Sequence, residues 1–447
     1  MNLGTPILAS WTVPPLDQSQ FDTVAWAGKD HPYIDEIRFG QTFYDAIGLS
    51  TLSWDLNDTT AGAGSATPTG TWDAAATNWN PRTDGTGTTG AWVAGSVAIF
   101  SAGTDATGTY DVTVDGTHDV GGLIFEEGNV TLLNGTSGEL RLVGDSLMDV
   151  ASGSTATVAA PITDDGGNRT LSKTGAGTLI LSGTNTYAGG TSINGGLLRV
   201  TGSTASGAVA IAAGGALGGA GTVGGAVTAD ADGAIDLRDG AEGTLTLGSS
   251  LTFNGTAALP NNIHFDLGTT AGTNDQIVAT GEVEVTNADG AVINLSPTLG
   301  GGTIGDGVYT LITGSTITNP GNFALNTTSA FGKSFALSDS GTSMLVTVTS
   351  ATSGPAAAFW SGGTDASWST AANWNDSVDG GVGTGAVPGY ATDVTFSTTT
   401  PAPANLTTTL DADFEVNSVT FNGSGGNTTI SGTNTLTIDA VGGTGIT

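Results

Sequence analysis

Apolar residues in this chain come in short runs with a period of two. The clearest stretch is 171–200. Leu179 and Leu181 alternate in one run, Thr191 and Ile193 in a second, and Leu197, Leu198 and Val200 close a third. Gly175, Gly177, Gly183, Asn185, Gly189, Gly190, Asn194, Gly195 and Gly196 break the runs. Period-two apolar runs with Gly and Asn at the corners predict three short, half-buried strands joined by tight turns. None is long enough to bury its own apolar face. The stretch therefore needs similar segments above and below it, which is the logic of a stacked solenoid.

The same grain runs along most of the chain. Val209 and Ile211, Leu245 and Leu247, Leu251 and Phe253, and Ile263, Phe265 and Leu267 repeat it. Asn-Gly dipeptides at 134, 194, 254 and 422 fall between strand candidates and read as turns. No amphipathic helix is legible beyond about residue 48; Ala-rich pieces such as 205–220 are interrupted by Gly. The prediction is an all-β β-solenoid with Val, Leu and Ile inside and Thr, Ser and Asn outside. Rungs of about 20–30 residues would give roughly 15–20 levels and a rod of about 70–100 Å.

A larger period lies over the smaller one. Trp72 and Trp368, Phe100 and Phe396, Phe125 and Phe421, and Leu140 and Leu436 are each 296 residues apart, in matching local sequence. This divides the chain into an N-terminal segment at 1–50, a first unit at 51–349 and the start of a second unit at 350–447. The expectation is a window on a longer repetitive protein, with a further version of the 171–200 stretch near position 467.

Residues 1–50 differ in kind. Trp11, Trp26, Tyr33, Phe43 and Tyr44 sit among mixed charges, and Tyr33 to Gly40 alternates as a strand. The Asp35-Glu-Ile-Arg-Phe39-Gly40 run resembles the last strands of a laminin-G or concanavalin-like jelly roll. A cap over the first rung is the alternative. Composition narrows the partners. There are 9 Lys plus Arg against 41 Asp plus Glu, a formal charge of -32. Such a charge disfavours nucleic acid and anionic membranes as partners. With no cysteine, disulfides, thiolate metal sites and cysteine nucleophiles are excluded. No run approaches the ~20 apolar residues of a membrane-spanning helix.

The run Lys173-Thr-Gly-Ala-Gly177-Thr-Leu179, then Leu181-Ser-Gly-Thr-Asn185-Thr-Tyr187-Ala-Gly-Gly190-Thr, then Asn194-Gly-Gly196-Leu-Leu-Arg-Val200 resembles the autotransporter-associated β-strand repeat. That family is also called the passenger-associated transport repeat. The resemblance extends more loosely over about 52–447. It implies a right-handed parallel β-helix carried outside the cell, with a role in passenger secretion and folding rather than catalysis.

Candidate chemistry is sparse. His31, His118 and His264 lie far apart with no metal-ligand spacing. No nucleophile elbow pairs with a His and an acid, so no catalytic residue is assigned and the chain is read as no enzyme. No cofactor is required. Calcium is the one metal considered, at the oxygen-rich turns of Asp164, Asp165, Asp230 and Asp232. The leading function is a surface stalk, adhesin or filament subunit at the bacterial cell surface, whose partners are copies of itself or surface components. The alternative is a carbohydrate-binding module, with Trp72, Trp79, Trp368 and Trp374, joined by Trp54 and Trp360, as stacking residues for a polysaccharide. A polysaccharide-degrading β-helix ranks third. Burial of the tryptophans would defeat the stacking alternative, and a carboxylate pair facing a groove would favour the third reading.

Overall fold

The computed structural model describes residues 50–298, 303–377, 381–397, 406–422, 427–438 and 445–447. The jelly-roll reading of the N-terminal segment lies outside them. Among the described residues the only helical pieces are two short 3-10 turns, Pro320–Asn322 and Ala371–Asn373. Among the described residues no helix is long and apolar enough to cross a membrane.

The fold is a parallel β-helix. In the first unit every level gives one strand to a first sheet and one to a second, and from Ser203 onward one to a third. Pairing is parallel and in register. In the first sheet Leu171 faces Thr191, Thr191 faces Val209, Val209 faces Val227 and Val227 faces Leu251. The levels here are 18–24 residues apart. They lengthen to 32 and 34 at Leu251↔Val283 and Val283↔Ile317, because the corners carry longer loops. The first sheet stacks eleven such levels, from Thr51–Trp54 to Ile317–Thr318. At about 4.8 Å per level the first unit is roughly 50 Å long.

Side-chain alternation decides what goes inside. Leu179, Leu181, Ile193, Leu198, Val200, Val209, Ile211 and Leu217 are buried, each separated from the next inward residue by an outward one or by a corner. Full burial of one such side chain contributes about 1.5–3 kcal/mol. A lone rung holds only a handful, too few to offset the entropy of ordering some twenty residues. The interior is accordingly one continuous cluster from Leu52 to Val348.

The 171–200 stretch forms four strands over two levels, not three. The additional one is Leu171–Thr174, with Leu171 and Lys173 facing inward. A lysine at an inward position breaks the apolar period, which is why the strand was illegible. Lys173 is fully buried, and its ammonium donates to the carbonyls of Thr174 at 2.5 Å, Gly175 at 2.9 Å and Gly195 at 3.1 Å. It thus ties two consecutive corners together. Gly175 can turn there because its φ is 71° and a Cβ would lie 2.1 Å from the Val150 carbonyl of the level below. Asn185 works similarly. It accepts from Ile162 N and donates to the carbonyls of Gly183 and Ser203, joining three levels.

The parallel stack ends in an antiparallel hairpin. Gly307–Thr313 pairs with Ser343–Ser350, which pairs with Lys333–Asp339. This covers what would be an open strand edge. A second core then begins at Ala358, around Trp360, Trp368, Trp374 and Phe396. The two units meet at the hairpin's base. Thr328 Oγ1 donates to Asp413 at 2.7 Å, and Gly332 N donates to Glu415 at 2.8 Å.

Lys173→Ala leaves three inward carbonyls without their donor. It is expected to destabilise the first unit by on the order of 3 kcal/mol, read as a lower urea midpoint by circular dichroism. An unchanged midpoint would show that the clamp contributes nothing.

Candidate functional site

The 296-residue period is visible as a repeated aromatic cage. In the first unit Trp54 and Trp79 meet edge-on at 5.3 Å, and Trp72 and Trp79 at 4.7 Å. In the second, Trp360 and Trp374 meet at 4.9 Å, and Trp368 and Trp374 at 5.1 Å. Phe100 stacks on Phe125 at 5.2 Å as Phe396 stacks on Phe421 at 5.4 Å. The strand registers agree: Thr51↔Val97 and Ala357↔Asp393 are equivalent pairs.

These cages overturn the stacking reading of the tryptophans. Trp54, Trp72, Trp368 and Trp374 are 0 % exposed, Trp79 1 % and Trp360 4 %. No ring face is open to a sugar. An indole edge holds backbone instead, as where Trp54 Nε1 donates to the Pro68 carbonyl and Trp374 Nε1 to the Trp368 carbonyl. The cages fill the wide rungs made by long corner loops, with large aromatics replacing the missing aliphatic layers. Asn80 closes the first such loop. Its amide nitrogen lies 2.7 Å from Asp55 Oδ2 and from the Gly87 carbonyl, and 3.0 Å from the Gly85 carbonyl.

The four aspartates considered for calcium lie in two turns, Asp164 with Asp165 and Asp230 with Asp232. Asp164 accepts from Gly166 N and Ala188 N, and these bonds hold its carboxyl below the usual range. Asp165 makes two 2.9 Å bonds to Arg169. Asp230 accepts weakly from Asn254, and Asp232 sits at a turn with φ 67°. Among the described residues no three His, Asp or Glu side chains are grouped so as to hold a metal ion.

Two recesses among the described residues have ionisable linings. One, of about 340 Å³, is lined by Asp236, Arg238, Asp266, Ser296 and Pro297 on the outer face of the second sheet. Its carboxylates are occupied. Asp236 is held by both Nε and a terminal nitrogen of Arg238. Asp266 accepts from Gly240 N, and Asp275 behind it accepts from Gly243 N and Asp266 N. Burial pushes the Asp275 carboxyl up to about 7 and raises that of Asp266 as well. These acids pin the loop at 237–243 to the rung rather than facing a groove as an acid and base pair.

The second recess, of about 320 Å³, lies beside the first aromatic cage and is lined by Asp73, Ala74, Trp92, Ala94, Thr117, His118, Asp119 and Arg141. Trp92 is half-buried, resting on Trp72 and Trp79 with its Nε1 donating to the Asp119 carbonyl. His118 stacks on Trp72 at 4.6 Å, and its Nε2 lies 3.0 Å and 3.1 Å from the carbonyls of Trp72 and Asp115. Two acceptors make that nitrogen the protonated one. Arg141 Nε donates to Asp119 at 2.6 Å. The sequence reading did not group these residues. The signal was available at the 296-residue spacing, where Trp92, His118 and Arg141 are replaced by Pro388, Phe414 and Thr437.

Comparison with known proteins places the chain. The passenger-associated transport repeat model matches residues 171–200. The β-solenoid therefore carries one passenger-associated transport repeat, at residues 171–200. Over 203 residues, 41% of its length, it is 31% identical to the adhesin BmaC autotransporter of Brucella suis biovar 1 (strain 1330). The match spans 6% of that much longer protein. The repeat at residues 171–200 coincides with the two levels that contain the buried Lys173 and Asn185.

The raised Asp275 pKa sets a sign for pH dependence. Its stabilising contribution is fully present below the unfolded value near 4 and is lost as pH rises toward 7. Asp275→Asn mimics the neutral acid at every pH. The variant should therefore gain on the parent in urea midpoint as pH is raised from 4 to 7. A constant difference over that range would contradict the assignment.

Proposed function

We propose that this chain is an exported, non-catalytic stalk segment of a bacterial surface adhesin, whose rigid β-helix holds an adhesive surface away from the cell. The observation that carries this reading is the unbroken parallel ladder of the first unit, latched to a second unit of the same plan through Asp413 and Glu415. A rod built of backbone hydrogen bonds from level to level resists bending. The similarity to an adhesin autotransporter and the passenger repeat support export and surface display. The occupied carboxylates of the second sheet and the ion-paired cations support a structural rather than catalytic use. Arg82, Arg141, Arg169, Arg199, Arg238 and Lys333 each pair with an aspartate.

The net charge of -32 favours single rods over side-by-side bundles, since like-charged flanks repel. Polystyrene beads coated with the full chain should adhere to cultured epithelial monolayers at least several-fold better than beads coated with serum albumin. Negative-stain images should show single short rods. Equal adherence of both bead types would reject the adhesive reading, and long uniform fibres would replace the stalk with a filament.

A further inference from the structure

The two units repeat the same cage but treat the surface beside it in opposite ways. In the second unit the position of Ala94 is taken by Tyr390, whose ring packs at 3.2 Å from where a Cβ on Gly332 would stand. The hairpin base docks there, with Thr328 on Asp413 and Gly332 on Glu415, the residues equivalent to Thr117 and Asp119. Phe414 fills the His118 position and packs on Trp368 at 5.3 Å. That copy of the recess is closed by protein and apolar at its base.

In the first unit the same recess is open and polar. Ala94 is exposed, and a histidine replaces the phenylalanine. The Asp119–Arg141 pair stands where the second unit has Glu415 and Thr437. That pair joins at a single point through Nε, and its side chains remain 25 % and 43 % exposed. Their unused hydrogen-bonding capacity faces water. Beside them stands Trp92, the member of this cage that is not fully buried, anchored by its Nε1.

A partly buried indole next to a carboxylate and a guanidinium, in a recess of about 320 Å³, matches one chemistry well. The apolar C–H face of a pyranose stacks on an indole, while its vicinal hydroxyls donate to a carboxylate and accept from a guanidinium. We propose that the recess formed by Asp73, Trp92, His118, Asp119 and Arg141 binds a neutral hexopyranose residue of a surface glycan. Neutral sugars are favoured over uronates because Asp73 and Asp119 outnumber Arg141 locally and the chain as a whole carries -32. The proposal rests on the adhesive reading for where such a glycan is met.

Saturation-transfer NMR on the full chain, with maltotriose, mannotriose, galactobiose and trigalacturonate as probes, tests it. At least one neutral sugar should show saturation of its ring protons. Ala94→Tyr rebuilds the side chain that closes the second unit's copy, at an exposed position that leaves the cage intact. It should abolish the signal, and Arg141→Gln should weaken binding at least tenfold, with circular dichroism unchanged in both. Absence of saturation for every neutral probe, preference for trigalacturonate, or an undiminished signal in Ala94→Tyr would overturn the assignment. Beads that adhere while no sugar binds would sink this recess alone. Sugar binding without bead adherence would sink the adhesive reading alone.

Discussion

Everything in this molecule depends on the backbone ladder between levels. A rung of about twenty residues buries too little apolar surface to stand alone, and its strands are only two to five residues long where the stack is tightest. Parallel pairing in register solves both problems. It satisfies the backbone donors and acceptors of each strand and places every inward side chain over the inward side chain below. Leu179 lies over Leu198 and Leu198 over Leu217 for that reason. The cost falls at the corners, where the chain must leave the ladder and its carbonyls lose their strand partners.

Buried polar side chains meet that cost. Lys173, Asn185 and Asn261 each reach two or more corner oxygens or amides, and each joins consecutive levels. Burial lowers the Lys173 ammonium to about 8, with Asp149 opposing the shift. The three carbonyls around it are what make an inward lysine tolerable. Where corner loops grow longer, as between Trp54 and Val97, aromatic rings take over the filling and Asn80 gathers the loop's oxygens. Regular levels are therefore held by polar clamps, and irregular ones by tryptophan cages.

Because the cage recurs, the two units act as an internal comparison. Three buried tryptophans and a stacked phenylalanine pair recur in both, while the flanks diverge. One flank receives a hairpin from the preceding unit, and the other leaves a polar recess. Core positions are bound to the cage geometry. Flank positions are free to differ, and that is where a binding surface can be built without disturbing the stack.

The sequence by itself determined the all-β solenoid, the passenger-type repeat at 171–200 and the 296-residue period, because each is written in local periodicity and corner residues. It also placed Leu, Val and Ile inside correctly, since strand alternation alone decides that. It could not reveal Leu171–Thr174 as a strand, because Lys173 looks polar until its three carbonyl partners are known. Trp72, Trp79, Trp368 and Trp374 read equally well as core or as sugar platforms, for a Trp has the same composition in either place. Only the tertiary structure put them inside. It alone brought Trp92, His118, Asp119 and Arg141 to one recess. Such groupings join residues from different levels, and which residues share a corner depends on loop lengths that only the closed stack makes definite.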